Sequence, residues 1–299
     1  MQPKLDIKKI KDIVQLAIKE DIGKGDITSQ IFIPEDSKSE GIFLAKEDGI
    51  IAGLPVVEYV FTQINNELLL TSNIEEGTGV SKDTTIANVK GPTISILSAE
   101  RLVLNFMQRL SGIATLTNKF VEKVKGYKTQ IMDTRKTTPG WRYLEKYAVR
   151  LGGGVNHRAG LYDQILVKDN HLEIIEKEQE KKNNIFSELV KKAGQQTDEG
   201  VLIEVEVEDS DHIKDLMDAD VDIIMFDNMK PSQISEAVKK VKEYESLQTT
   251  TTAKAILTET SGNITLENVE EYAKTGVDRI SVGMITHSAR ALDISLDIV

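Results

Sequence analysis

Between Ile7 and Ile22 the apolar residues Ile10, Ile13, Val14, Ala17 and Ile18 recur at helical spacing, which predicts an amphipathic helix. Gly23 and Gly25, in DIGKGD, mark its end and a turn. They do not open a dinucleotide fingerprint, because no strand precedes them and the third small residue is missing. Residues 31–96 read mostly as strands: EGIFLAKEDGIIAGLPVV, LLLTSN and TTIANVKGPTISIL alternate short apolar runs with Gly and Asp turns. SAERLVLNFMQRLSG then returns to helical spacing, with Ser98 as N-cap, Gly112 as stop, and a stripe of Leu102, Val103, Phe106, Met107 and Leu110. This reading puts Arg101 in the first turn, the unfavourable end of the helix dipole for a cation unless it serves an anion.

After Gly112 the pattern changes. TQIMDT, DQILVKDN, VLIEVEVE, VDIIMFDN, AKAILTET and DRISVGM are short apolar strands separated by helical segments, which predicts parallel strands with helical crossovers. Each runs into a polar residue or glycine: Asp133, Lys168, Glu206, Asp227, Glu259 and Gly283. Ligands bind at the carboxyl ends of α/β-barrel strands, so these residues are read as a rim. The stretch 173–200 is charged and is read as a peripheral helical segment with mobile ends. SLQTTTTAK, 246–254, is read as a low-complexity linker.

Composition narrows the chemistry. The chain has 299 residues, enough for two domains, and a formal net charge of -11. It has no cysteine, which excludes disulfides, thiolate catalysis and zinc–thiolate sites. No run approaches a membrane helix, and the amino terminus has no continuous apolar stretch. A cytoplasmic protein is expected.

Against this acidity, Asp133 to His171 holds seven Lys or Arg and four Asp or Glu, so it is net +3 in a chain otherwise at -14. A nucleic acid or a small, multiply charged anion would each suit such a segment. GGGVNHR sets Gly152, Gly153 and Gly154 before His157 and Arg158, either as an ordinary loop or as backbone that can approach a ligand. Arg142, Lys146 and Arg150, four apart, read as a solvated helix face. In EVEVE, Glu204, Glu206 and Glu208 share one face of a strand, either inward with cations or a metal, or at a wet sheet edge. Hard acids such as Asp227 near a phosphate site suit magnesium. Ser261, Gly262 and Asn263 on one loop, and Gly283 on the next, precede helical patterns at the place where barrels bind phosphate.

Taken in order, SAERLVLNFMQRLSGIAT, DTRKTTPGWRYLEKYAVRLGGGVNHR, ILVKDNH, EVEVE, DNM, ETSGNIT and GVDRISVGMITHSARALDISLDI resemble the quinolinate phosphoribosyltransferase family, over nearly the whole chain. The resemblance implies an amino-terminal α+β sandwich, 1–112, joined by the tail 288–299, and an incomplete α/β barrel of about six parallel strands, 113–287. It implies phosphoribosyl transfer from phosphoribosyl pyrophosphate to quinolinate with decarboxylation, magnesium, and a homodimer or higher homo-oligomer with a shared site. The overall acidity argues separately against nucleic acid or an anionic membrane as a partner. By matching position, Arg135, His157, Arg158 and Lys168 bind quinolinate, and Arg101 matches an arginine supplied by a neighbouring subunit. Lys136 matches a phosphoribosyl pyrophosphate contact. Glu206 and Asp227 match the acids near ribose and magnesium. Ser261, Gly262, Asn263, Gly283 and His287 match the phosphate loops. Lys136, Lys168, Glu206 and Asp227 are the expected catalytic set. Asn263 replaces a glycine of the commoner pattern, and asparagine tolerates positive φ better than most residues. Two alternatives stand beside this reading: a paralogous phosphoribosyltransferase of a molybdenum-transport locus, and a non-catalytic polyanion-binding protein.

Overall fold

The computed structural model describes residues 3–178, 185–198, 200–247 and 255–299. A 3-10 turn at Ile7–Lys9 leads to helices α1 (Lys11–Asp21) and α2 (Ile27–Phe32), strands β1 (Lys38–Ala45) and β2 (Gly49–Ile50), and helix α3 (Leu54–Ile64). Then come β3 (Leu69–Ser72), β4 (Gly79–Val80), β5 (Thr85–Pro92), α4 (Thr93–Lys123), β6 (Gln130–Met132) and α5 (Arg142–Leu151). Next are β7 (Ile165–Val167), α6 (Asp169–Glu178), α7 (Ile185–Gln196), β8 (Ile203–Val207), α8 (Ile213–Asp218), β9 (Ile223–Asp227) and α9 (Pro231–Leu247). The chain ends with β10 (Leu257–Ser261), α10 (Val269–Lys274), β11 (Arg279–Ser281), α11 (Met284–His287) and β12 (Ile294–Ile298). The stretch 173–200 thus holds helices; its residues 179–184 and 199, and residues 248–254 of the expected linker, lie outside the described residues. Two compact units interleave along the chain: residues up to Lys119 with Lys136–Gly154 and Ile285–Val299, and Phe120–Arg135 with Val155–Met284. The cut expected between 112 and 113 falls within α4.

In the first unit an antiparallel sheet has the order β12-β1-β5-β3, so the last strand of the chain lies on the first. Gly41, Phe43 and Ala45 of β1 alternate on its buried face, and Phe43 meets Phe61 of α3 at 6.4 Å between ring centroids. Helix α3 replaces part of the expected run of strands. Its sequence, LPVVEYVFTQI, is rich in β-branched residues, and its cap is remote: the Glu76 carboxylate accepts from Gly53 N (2.6 Å) and Leu54 N (3.0 Å). An acid there satisfies two orphan donors and favours the positive end of the helix dipole.

Helix α4 corrects a second expectation. It starts at Thr93, not Ser98, and passes through Gly112. The Ser98 hydroxyl bonds back to Ile94 O at 2.7 Å instead of capping. Gly112 is there for close approach: a Cβ would lie 2.0 Å from Arg290 O. Arg101 is therefore an exposed residue well inside the helix, and the dipole argument for it lapses. Gly152 and Gly154 likewise approach α4, not a ligand; a Cβ on Gly152 would sit 2.4 Å from Ala114 O. Lys146 is also corrected, since it is 5% exposed. Helix α5 buries the whole run Leu144–Val149, more than one full turn, so an i, i+4 face says little there.

The second unit is a six-stranded parallel sheet in the order β6-β11-β10-β9-β8-β7. First and last strands are neighbours, and consecutive strands follow in order around the arc, which is a barrel with one seam between β6 and β7. Val155 lies beside Met132 in a parallel bridge at that seam. β8 is interior, between β7 and β9, and buried throughout, which removes the wet-edge reading of EVEVE. Among the described residues no helix is long and apolar enough to cross a membrane.

Candidate active site

Strand register places Glu206, Met225 and Glu259 level across β8, β9 and β10, with Asp227 and Ser261 paired two residues further on. Side chains two apart share a face, so Glu204, Glu206, Asp227, Glu259 and Ser261 all point the same way. This is the interior of the arc at its carboxyl end. Glu204 and Glu259 are fully buried and Glu206 is nearly so.

Cations meet these acids from the loops. His157 Nε2 lies 3.1 Å from Glu204 Oε2 and 3.4 Å from Glu259 Oε1. Gln164 Nε2 donates to Glu204 (2.6 Å) and Ser281 Oγ to Glu259 (2.5 Å). Asp133, just beyond β6, fixes the loop by accepting from His157 N (2.8 Å) and Asn156 Nδ2 (2.6 Å). The Lys168 ammonium pairs with Glu206. Asp227 accepts from Ser261 Oγ (2.5 Å) and Asn228 Nδ2 (2.6 Å). Gly262 and Asn263 both have positive φ, 95° and 51°, and a Cβ on Gly262 would strike Asn228 Oδ1 at 2.2 Å. Asparagine therefore keeps the left-handed turn that the replaced glycine would allow.

Electrostatics mark His157 and Arg158. Burial alone would lower the His157 pKa, but hydrogen bonds with Glu204 and Glu259 outweigh it and push it up to about 9. Burial raises Glu204. Arg158 N lies 2.8 Å from His157 Nδ1, which turns Nε2 toward the acids. Among the described residues Glu204 Oε1 and Glu259 Oε2 are buried without a hydrogen-bond partner, an arrangement that disfavours two bare carboxylates. His157 therefore keeps its proton through neutral pH. Arg158 is pulled down by burial and then by the like charge of Arg135.

The same geometry bears on metal binding. Among the described residues, His157, Glu204 and Glu259 lie close enough to share an ion, but their contacts read as a proton-sharing cluster. Glu206 and Asp227 are a different pair: oxygen donors only, at the ends of adjacent strands. That donor set fits magnesium, which takes one or two carboxylates and completes its shell with substrate oxygens and water.

Of the residues singled out in the sequence, Arg135, His157, Arg158, Lys168, Glu206, Asp227, Ser261, Gly262, Asn263 and Gly283 belong to the second unit. Arg101, Lys136 and His287 belong to the first, and all three are exposed. In that unit Thr286 Oγ1 donates to Lys136 O at 2.7 Å, tying the Lys136 and His287 segments together. Gln164 and Ser281 were not anticipated; a lone glutamine or serine gives no sequence signal for a partner 40 or 22 residues away.

Comparison with known proteins agrees with this picture. Residues 26–111 match the family described as quinolinate phosphoribosyl transferase, N-terminal domain, and residues 113–297 its C-terminal domain. A probable nicotinate-nucleotide pyrophosphorylase [carboxylating] of Bacillus subtilis is 41% identical over 289 residues, 97% of this chain and 93% of the relative. A quinolinate phosphoribosyltransferase [decarboxylating] of Nicotiana tabacum is 39% identical, over 97% of this chain and 82% of its own. The solved structure of the nicotinate-nucleotide pyrophosphorylase from Francisella tularensis superposes with a TM-score of 0.88 at 36% identity, covering 100% of this chain and 99% of that one.

Proposed function

The chain belongs to the quinolinate phosphoribosyltransferase family, and on that premise we propose how its residues divide the work of the family's reaction. The enzyme transfers the phosphoribosyl group of phosphoribosyl pyrophosphate to quinolinate, releasing pyrophosphate and carbon dioxide and leaving nicotinate mononucleotide, a precursor in NAD biosynthesis. The observation that carries the assignment of residues is the cationic rim of the second unit. Arg135, His157, Arg158 and Lys168 stand at strand ends over buried acids, a mixed-charge surface that suits a small dianion better than a polymer.

Quinolinate carries two carboxylates. Arg158 and Arg135 take one and Lys168 takes the other, above His157, which stays between Glu204 and Glu259. This fixes the ring nitrogen for attack on the sugar carbon. The N–C bond forms as the C–O bond to pyrophosphate breaks. Glu206 and Asp227 face the positive charge that develops on the ribose, and Ser261 and Asn228 hold Asp227 in place. Both acids would hold magnesium, whose charge would offset that of the departing pyrophosphate. The new bond makes the ring nitrogen cationic. The adjacent carboxylate then leaves as carbon dioxide, its bonding electrons pass to the ring carbon, and that carbon takes a proton. Backbone of the Ser261–Asn263 turn and of Gly283 receives phosphate. Lys136 and His287 are assigned to phosphoribosyl pyrophosphate by their matching positions in the family. Arg101 is lent to a neighbouring subunit of a homodimer or larger assembly, and the enzyme works in the cytoplasm.

The test offers quinolinate and nicotinate separately with phosphoribosyl pyrophosphate. Carbon dioxide and nicotinate mononucleotide should appear in equal amounts from quinolinate, with no comparable turnover of nicotinate. Turnover of nicotinate alone would overturn the reading.

A further inference from the structure

We propose that Arg109 and Glu145 form a positioning brace that locks the Lys136–Thr138 segment to the Thr286–Ala289 segment and so sets the two groups assigned to phosphoribosyl pyrophosphate in the first unit. The proposal rests on that assignment of Lys136 and His287. Glu145 is a carboxylate with no exposed surface. Its Oε2 accepts from Thr138 N (3.1 Å), and its Oε1 from Thr138 Oγ1 (2.9 Å) and Arg109 Nη2 (2.8 Å). Arg109 then reaches the other segment: Nη1 donates to Ala289 O (2.7 Å) and Nη2 to Thr286 O (2.6 Å). Thr286 Oγ1 closes the circuit on Lys136 O at 2.7 Å.

An ion pair whose acid is fully buried is a poor device for stability alone, because desolvation of that acid consumes much of the attraction. What it supplies is fixed direction. A guanidinium has a rigid fork of donors, and here the fork spans a carboxylate on one helix and two carbonyls on a separate segment. Every contact other than the ion pair itself ends on one of the two segments that carry Lys136 and His287. A lysine at position 109 could not meet all three acceptors in one plane.

The experiment uses the full chain. Wild type, Arg109→Met, Arg109→Lys and Thr286→Val are compared for KM of each substrate, for quinolinate Kd by calorimetry, and for Tm. Arg109→Met should raise KM for phosphoribosyl pyrophosphate about tenfold, with quinolinate Kd within about twofold of wild type. Arg109→Lys should recover part of that loss. Thr286→Val removes the hydroxyl that bonds Lys136 O and keeps a β-branched isostere, and should raise the same KM about threefold even if the arginine variants fail to fold. Equal weakening of both substrates would show general loosening and overturn the brace, as would no change in either. A wild type that does not turn over quinolinate would overturn the assignment beneath it, and the brace with it.

Discussion

At the scale of single residues, the site is a problem of balancing buried charge. Glu204 and Glu259 could not both be bare carboxylates at their depth without a cation or proton among them, and His157 supplies the contact. Its pKa is raised above the usual 6.5 to about 9, so the stabilisation it provides is complete below about 6.5 and is lost as pH rises through about 9. Quinolinate affinity should follow the same sign. It should be flat between pH 7 and 8 and fall about tenfold as His157 loses its proton near 9. Titration calorimetry across pH 7–10 checks this, and His157→Asn should remove the step. A step that survives in His157→Asn would assign the proton elsewhere. Arg158 is shifted the other way, pulled down by burial and then by the like charge of Arg135.

At the scale of elements, the parts that were legible are those whose cause is local. The six parallel strands could be read because each is a short apolar run that ends in a polar residue, and because strand–helix alternation needs no distant partner. The rim acids followed from the same reading, and register then placed Glu206 level with Glu259. Helix α3 was missed because its capping carboxylate, Glu76, is some twenty residues downstream of the helix start. The extent of α4 was misjudged for a similar reason: Gly112 resembles a stop, yet its smallness answers the backbone of Arg290. The burial of Lys146 and the contacts of Arg109 with Glu145 depend on packing between segments far apart in sequence. Gly112→Val tests the α4 account. Even one added carbon meets a carbonyl at 2.0 Å, so the variant should unfold about 5 °C below wild type in a thermal melt. An unchanged Tm would mean that Gly112 is not a packing position.

At the scale of the whole molecule, charge is distributed against polymers and in favour of small anions. A chain of net charge -11 repels nucleic acid at long range, while its local cations sit at strand ends beside buried carboxylates. The polyanion-binding alternative is not favoured, because family members and a solved family structure match nearly the whole chain. Membership in the quinolinate phosphoribosyltransferase family, over both domains and 97% of the chain, gives the charge pattern its purpose. The central claim is that this rim holds the dianionic substrate, and calorimetric titration of quinolinate into wild type and Lys168→Met tests it most directly. Loss of a charge-assisted hydrogen bond worth ~1.5–3 kcal/mol should weaken binding by about 10- to 100-fold in the variant. Equal quinolinate affinity in the two proteins, with the fold intact, would contradict the account.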